Sequence, residues 1–141
     1  MFYEQRTTVP DSPGALRAEY VEGFREILET VSFENAADEV DVPVDALEAL
    51  SEGKPTALTL EQAAAIQSLE DGEPDPETIV ELACDHLLLG MTTAVIDVDT
   101  LESEVDIDLE AKEIQQRIER RAPMTFEEFV HVQHAIVSSV P

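Results

Sequence analysis

The chain has 141 residues, 43% hydrophobic and only 5% aromatic, and its 32 acidic side chains against 8 basic ones give a formal net charge of -24. This length and apolar content predict one domain, 1–141, with a core of aliphatic side chains, and they exclude a disordered acidic chain. Molar potassium chloride screens such a charge, because the Debye length there is about 3 Å, so the composition indicates a halophilic cytoplasm.

The sequence predicts neither a signal peptide nor a membrane span nor a disulfide. Its first residues, MFYEQRTTVP, lack the basic start and apolar run of a signal peptide. The most apolar stretch, 79–96, is interrupted by Glu81, Asp85 and His86, which argues against a membrane span. Cys84 is the only cysteine, so it is predicted to be a buried, inert thiol in a reducing compartment.

Helix signals begin after an N-terminal arm at 1–11. Cap residues or prolines mark four helix starts in the first half of the chain, at Ser12, Ser32, Pro43 and Thr59. The first predicted helix is amphipathic, and the third is stopped by Gly53 in a left-handed cap. Thr59 and Gln62 form a capping box that begins the fourth. A polar linker with two prolines, 70–77, closes this half.

The second half is predicted to repeat that order. Its polar cap residues are Asp75, Asp97 and Thr125. A long helix from Pro76 to about Val95 is apolar around most of its circumference, which predicts a place in the middle of the fold. The segment LEAKEIQQRIERR, 109–121, is the third helix of this half, and Thr125 with Glu128 forms a second capping box.

Two pairs of similar phrases predict an internal repeat. LTLEQAAAIQ at 58–67 resembles MTFEEFVHVQ at 124–133, and EVDV at 39–42 precedes the first phrase about as far as EVDI at 104–107 precedes the second. Aligning these phrases also matches Val31 with Ile96, Val40 with Val105, and Leu60 with Phe126. The sequence therefore predicts an all-α helical bundle of about eight helices, built from two tandem helix-turn-helix-like units, about 12–70 and 76–138, around a central apolar helix.

Each half resembles the helix-turn-helix core of lambda-repressor-type domains. The resemblance rests on AADEVDVPVDALEALSEGKPTALTLEQAAAI at 36–66 and on LESEVDIDLEAKEIQQRIERRAPMTFEEFVHV at 101–132. It implies the shape of that motif and, less specifically, DNA binding. The first half departs from a DNA-binding motif, because its recognition helix carries Asp45, Glu48 and Glu52. These carboxylates would face phosphates and repel them.

The chain after about residue 12 also resembles a haloarchaeal family of unknown function. The phrases that carry this resemblance are HLLLGMTTAVIDVDT at 86–100 and RAPMTFEEF at 121–129. The resemblance implies a high-salt cytoplasm, and it implies neither an activity nor site residues.

The sequence offers no catalytic, cofactor or metal site that we favour. Cys84, Asp85 and His86 are neighbours, but successive side chains of a helix project about 100° apart and so cannot converge. Glu127, His131 and His134 share one helical face, and we interpret them as solvated, salt-bridged side chains, because a di-iron site needs a second Glu-x-x-His pair. The chain has no phosphate-binding or dinucleotide-binding loop. We therefore predict no enzyme and no cofactor, and the sequence identifies no small-molecule substrate.

Half of the basic residues fall within ten positions, and they are the candidate contacts for a partner or a nucleic acid: Lys112, Arg117, Arg120 and Arg121. The alternative is an internal ion-pair network that ties their helix to acidic neighbours. Two functions follow from the sequence. The preferred one is a non-catalytic interaction or regulatory module that binds a protein or another copy of itself. The other is a sequence-specific DNA-binding regulator that uses the second unit.

Overall fold

The structure, a computed structural model, describes residues 1–54 and 56–140, and every regular element within them is helical. The eight helices are α1 (Pro13–Thr30), α2 (Phe33–Glu39), α3 (Val44–Ser51), α4 (Leu60–Gln67), α5 (Pro76–Ala94), α6 (Val98–Glu104), α7 (Ala111–Ile118) and α8 (Phe126–Ser138). The predicted all-α bundle of about eight helices is confirmed. No single helix of the described residues is long and apolar enough to cross a membrane.

Side-chain caps begin six of these helices at the predicted residues. The caps are Ser12, Ser32, Thr59, Asp75, Asp97 and Thr125. In each case a side-chain oxygen accepts from the backbone N–H three residues on, which satisfies one of the free donors at a helix start. Thr59 and Thr125 both form complete capping boxes, with Gln62 and Glu128.

The third helix of the second half is shorter than predicted. The sequence predicted a helix over 109–121, whereas α7 ends at Ile118. Arg120 has φ of 64°, in the left-handed region, and Arg121 N–H donates to Gln116 O at 2.8 Å. The chain therefore turns out of the helix just as it does at Gly53, whose φ is 75°. This second turn has no glycine, so the sequence did not predict it.

The two capping boxes lie side by side. Thr59 and Thr125 form an isolated antiparallel bridge, in which Leu60 N–H donates to Met124 O and Phe126 N–H donates to Leu58 O, both at 2.9 Å. The helix contacts show a matching pattern in the two halves, since α1 packs on α3 and α4 and α5 packs on α7 and α8. These equivalences agree with the two-unit repeat, which stays a prediction.

The low aromatic content predicted a core of aliphatic side chains, and this prediction is wrong. Six of the seven aromatic side chains cluster in it: Phe2, Tyr3, Tyr20, Phe24, Phe126 and Phe129. Phe2 lies at the centre, 1% exposed, with its ring centroid 5.9 Å from that of Phe24 and 5.4 Å from that of Phe126. The prediction failed because a few aromatic residues, gathered from distant parts of the chain, fill one place.

The N-terminal arm, 1–11, has no helix but is fastened to the bundle. Gln133 donates from Nε2 to Phe2 O at 3.2 Å, His86 Nδ1 lies 2.6 Å from Tyr3 O, and His134 Nε2 lies 2.8 Å from Pro10 O. These side chains of α5 and α8 therefore supply hydrogen-bond partners for backbone carbonyls of the arm. The arm is therefore part of the core that joins α1 to α8.

Candidate functional site

The predicted basic cluster is distributed over two environments. Lys112 lies exposed in the first turn of α7 and makes no ion pair with a described residue. The three arginines lie at the other end of that helix and beyond it, and together they line a cleft of about 290 Å³. The structure thus brings Arg117, Arg120 and Arg121 together but leaves Lys112 apart from them.

Each of these arginines already has a carboxylate partner. Arg117, with its side chain 20% exposed, lies 3.2 Å from Glu128 and 3.6 Å from Glu113. Its contact with Glu128 ties α7 to α8. The other two arginines pair outside α7: Arg120 with Glu81 of α5 at 3.7 Å, and Arg121 with Glu119. These contacts agree with the ion-pair network that the sequence offered as the alternative to a binding surface, and the binding role of the arginines stays a prediction.

The cysteine and the histidines offer no reactive arrangement. Cys84 is 2% exposed, and burial raises the pKa of its thiol to about 11, so the thiolate is scarce at neutral pH. The prediction of solvated, salt-bridged histidines is wrong on solvation for His131, whose side chain is only 13% exposed, but the predicted pairing is present, since its Nε2 lies 3.1 Å from Glu127. His134 is bound to the arm. Within 1–54 and 56–140, no three potential metal ligands converge.

A different surface, which sequence reasoning missed, lies along the C-terminal half of α5. There the helix forms a groove of about 690 Å³ with the start of α6 and the end of α7. Its apolar wall residues are Leu88, Met91, Val95, Ile96, Val98 and Ile118. Large apolar side chains are exposed on and beside it: Leu88 is 44%, Leu89 47% and Val95 87% exposed. We refer to this surface as the α5 groove.

The exposed face of α5 also corrects the prediction of an enclosed helix. Its N-terminal half is buried through Ile79, Val80 and Ala83, but the face with Leu88 and Leu89 is not covered by any other helix of the described chain. This surface is the candidate binding site, since isolated exposed apolar residues are ordinary but grouped ones are not.

Val95 gives the groove its most unusual feature. Its φ of 56° and ψ of 50° place it in the left-handed region, which β-branched residues rarely adopt. Its N–H donates to Thr92 O at 3.2 Å, and Ile96 N–H donates to Met91 O at 3.1 Å, a helix ending that glycine usually makes. Strain of this kind at an exposed side chain points to a role other than folding.

The polar groups near the groove are already occupied within the chain. Residues 87–96 include no charged side chain. The Thr92 hydroxyl donates to Leu88 O at 3.2 Å and that of Thr93 to Leu89 O at 3.0 Å. These hydroxyls are therefore committed to the helix backbone.

Two carboxylates complete the groove wall, Asp97 and Glu119. Asp97 accepts from the backbone N–H of Thr100 at 2.9 Å, and that bond lowers its pKa below the usual value. Glu119 accepts from Gln115 at 3.2 Å and from Arg121, and these bonds lower its pKa as well. Both carboxylates are ionised and already hold donors of this chain, which leaves the apolar side chains as the free part of the wall.

The sequence carried one signal for this site. The run 87–96 has no charged side chain in a chain of which 28% of residues are charged, and its predicted helix end, at Val95, is not occupied by a glycine. Periodicity alone assigned the run to the core, because an apolar helix face has the same sequence pattern whether another helix covers it or not.

The fold and the groove together define an all-helical protein with an uncovered apolar surface. Residues 16–139 match the family of unknown function DUF5791, and the chain belongs to that family. This confirms the predicted membership of a family of unknown function. No curated protein and no solved structure matches the chain.

Proposed function

We propose that this protein is a non-catalytic interaction module of a halophilic cytosol, which binds a protein partner in the α5 groove. The observation that carries this proposal is the groove itself, where Leu88 and Val95 are exposed on a stretch of chain, 87–96, without charged side chains. The carboxylates of the wall, Asp97 and Glu119, are both bonded within the chain. Burial of apolar surface is favourable by about 25 cal/mol per Å², so covering this face with another protein stabilises the complex. Grooves beside helices are a common way to hold a partner helix.

The proposal includes the two helix-turn-helix-like repeats as scaffold. Thr59 and Thr125 cap equivalent helices, and the reciprocal hydrogen bonds across their bridge support a common origin of the two units. The second unit carries the binding surface, because α5, α6 and α7 together form its walls. The haloarchaeal setting is supported by the net charge of -24, which high salt screens.

The ion pairs favour a protein partner over DNA. A phosphate contact at Arg117 would have to displace Glu128 and Glu113, which lie 3.2 and 3.6 Å away. Phosphate contacts supply most of the sequence-independent affinity of DNA-binding proteins. The DNA-binding regulator is therefore the second hypothesis, and it makes a distinct prediction for the arginines.

Binding experiments in molar potassium chloride separate the two hypotheses. Three variants of the full chain are compared with the wild type: Leu88→Asp in the groove, Thr30→Asp as its surface control, and a combined Arg117→Glu, Arg120→Glu and Arg121→Glu reversal. We expect Leu88→Asp alone to abolish protein binding, measured by quantitative cross-linking and sedimentation. Saturable binding of the wild type to a defined DNA duplex, lost on the arginine reversal and retained by Leu88→Asp, would replace this proposal with the DNA-binding one.

A further inference from the structure

We infer that the occupant of the α5 groove is an amphipathic helix of another protein, with a stripe of apolar side chains between two basic ends. The inference rests on the proposed function and specifies the chemistry of its partner. Two observations carry it: the order of acidic and apolar side chains along the exposed face of α5, and the pairing of nearly all basic side chains within this chain.

The exposed face of α5 is apolar in its middle and acidic at both ends. Leu88 and Leu89, 44% and 47% exposed, lie one helical turn after Asp85. Residues three or four apart share a helix face, so these three side chains belong to one surface. At the other end, Val95 is 87% exposed and precedes Asp97 by two residues. A partner on this face therefore meets apolar side chains between two carboxylates.

Both terminal carboxylates can accept hydrogen bonds from a partner. Asp85 is exposed and makes no ion pair with a described residue. Asp97 is also exposed, and it accepts both bonds from Thr100 at Oδ1, at 2.9 and 3.0 Å, so its other oxygen can receive a further donor. Glu119, the remaining carboxylate of the groove wall, is bonded to Arg121. Basic side chains of a partner therefore belong at the two ends of the stripe.

This chain cannot supply those basic side chains from a second copy. Seven of its eight basic residues form ion pairs with carboxylates of the same chain. Among the described residues Lys112 alone has no such pair, and one lysine cannot serve both ends. Two copies, each with a net charge of -24, would also repel one another. The occupant is therefore a different protein that brings its own cations.

The distance between the acidic ends sets the spacing of the partner's basic residues. From Asp85 to the last helical residue, Ala94, α5 rises about 14 Å at 1.5 Å per residue. A helix lying along the stripe needs a similar rise between its own cations, which corresponds to about ten residues. Between them, apolar side chains at intervals of three and four residues would cover Leu88 and Val95. The partner segment is thus about three helical turns long.

Three synthetic peptides binding to the full chain test this inference. The first carries leucines at helical spacing between lysines about ten residues apart, the second has glutamates in place of the lysines, and the third keeps the lysines but scrambles the leucine positions. Affinities are measured in molar potassium chloride and at the lowest concentration at which circular dichroism shows native helicity. We expect binding of the first peptide only, with an affinity that rises as salt falls, because salt screens its ion pairs.

Variants of the chain locate the contacts. The pair Asp85→Asn and Asp97→Asn should weaken binding of the first peptide about three- to tenfold, because two exposed ion pairs are lost. Asparagine caps a helix as well as aspartate does, so the start of α6 is retained. The matched control, Asp38→Asn with Asp45→Asn, removes the same charge from α2 and α3 and should leave the affinity unchanged. Leu88→Asp should abolish binding.

The outcomes separate this inference from the proposed function. Failure of the first peptide to bind, equal binding of the glutamate peptide, or an equal loss in the control pair would overturn the inference. Equal binding of the scrambled peptide would overturn it too, since attraction to the net charge alone would explain the affinity. If a protein partner is still cross-linked and Leu88→Asp abolishes that cross-link, the proposed function stands and only the basic ends fail. If no association depends on Leu88, both fail.

Discussion

The C-terminal halves of α1 and α5, which the predicted repeat places at equivalent positions, present surfaces of different chemistry. The alignment that pairs Val31 with Ile96 also pairs Glu26 with Met91 and Thr30 with Val95. The α1 side borders a groove of about 640 Å³, close in size to the 690 Å³ of the α5 groove. Its lining contains three carboxylates, Glu26, Glu70 and Asp71, of which Glu26 comes from α1. The α5 groove is lined by two, Asp97 and Glu119, and neither comes from α5.

The comparison shows that two grooves of similar volume differ in the side chains that the long helix contributes to each. The helix ends differ in the same sense. The chain leaves α1 at Val31 in an extended conformation, with φ of -125°, but leaves α5 at Val95 in the left-handed region. α1 thus contributes a charged side chain to its groove and ends in an extended residue, whereas α5 contributes no charged side chain and ends in a left-handed residue.

The largest effect is expected at Phe2, which belongs to neither half and packs on both. Phe2→Ala removes a ring that lies 5.9 Å from Phe24 of α1 and 5.7 Å from Phe129 of α8. Because the cavity would be fully enclosed, the free energy of unfolding should fall by about 3–5 kcal/mol in urea titrations. Phe33→Ala, at the one aromatic side chain outside the cluster, is the control and should cost clearly less. Equal losses would show that Phe2 does not join the halves.

Two glycines in the middle of the long helices sharpen the comparison of α1 with α5. A Cβ at Gly90 would lie 2.7 Å from Cγ2 of Ile136 in α8, whereas one at Gly23 meets nothing within 4 Å. Gly90→Ala should destabilise by about 1–3 kcal/mol, because a buried branched side chain must move. Gly23→Ala should stabilise by about 0.5–1 kcal/mol through helix propensity. Thermal unfolding of both variants gives the two signs, and the same sign for both would contradict this packing.

The capping threonines test whether the halves are equivalent. Thr59→Ala and Thr125→Ala each remove an oxygen that accepts a backbone N–H, from Gln62 and Glu128 respectively, both at 3.0 Å. Each should cost about 0.5–2 kcal/mol of unfolding free energy, and Thr→Ser at the same positions should retain most of it. A clear loss at one threonine and none at the other would break the equivalence of the two units.

The smallest effect concerns pH, since Ser32 and Asp97 cap the two helices that the predicted repeat pairs, α2 and α6, and only Asp97 titrates. The bond from Thr100 lowers the pKa of Asp97 in the folded state. Its contribution is therefore fully present above the usual aspartate pKa of about 3.9 and is lost as the pH falls through the lowered value. The difference in unfolding free energy between wild type and Asp97→Ser should shrink across that acidic window. A difference that stays constant from neutral pH to pH 3 would contradict the cap.

Much of the fold follows from local chemistry that the sequence states openly. Ser12, Thr59 and Thr125 announce helix starts because their oxygens serve the N–H groups immediately after them. Gly53 announces a helix end for a similarly local reason. Such signals need no knowledge of what lies across the core.

The features that sequence reasoning missed depend on distant parts of the chain. Phe2 became the centre of the core because the arm folds back between α1 and α8. The end of α7 was missed because Arg120 takes a conformation that its residue type does not favour. The α5 groove was missed because hydrophobic periodicity identifies an apolar face but not whether another helix covers it.

The central claim is that Val95 is kept for docking at the expense of folding stability, and the most direct test is Val95→Gly measured for both properties. Glycine has no steric penalty in the left-handed region, so unfolding free energy should rise by about 1 kcal/mol. Cross-linking and sedimentation in molar potassium chloride should show binding of the protein partner weakened at least tenfold. A variant that loses stability, or one that binds its partner as tightly as the wild type, would contradict the claim.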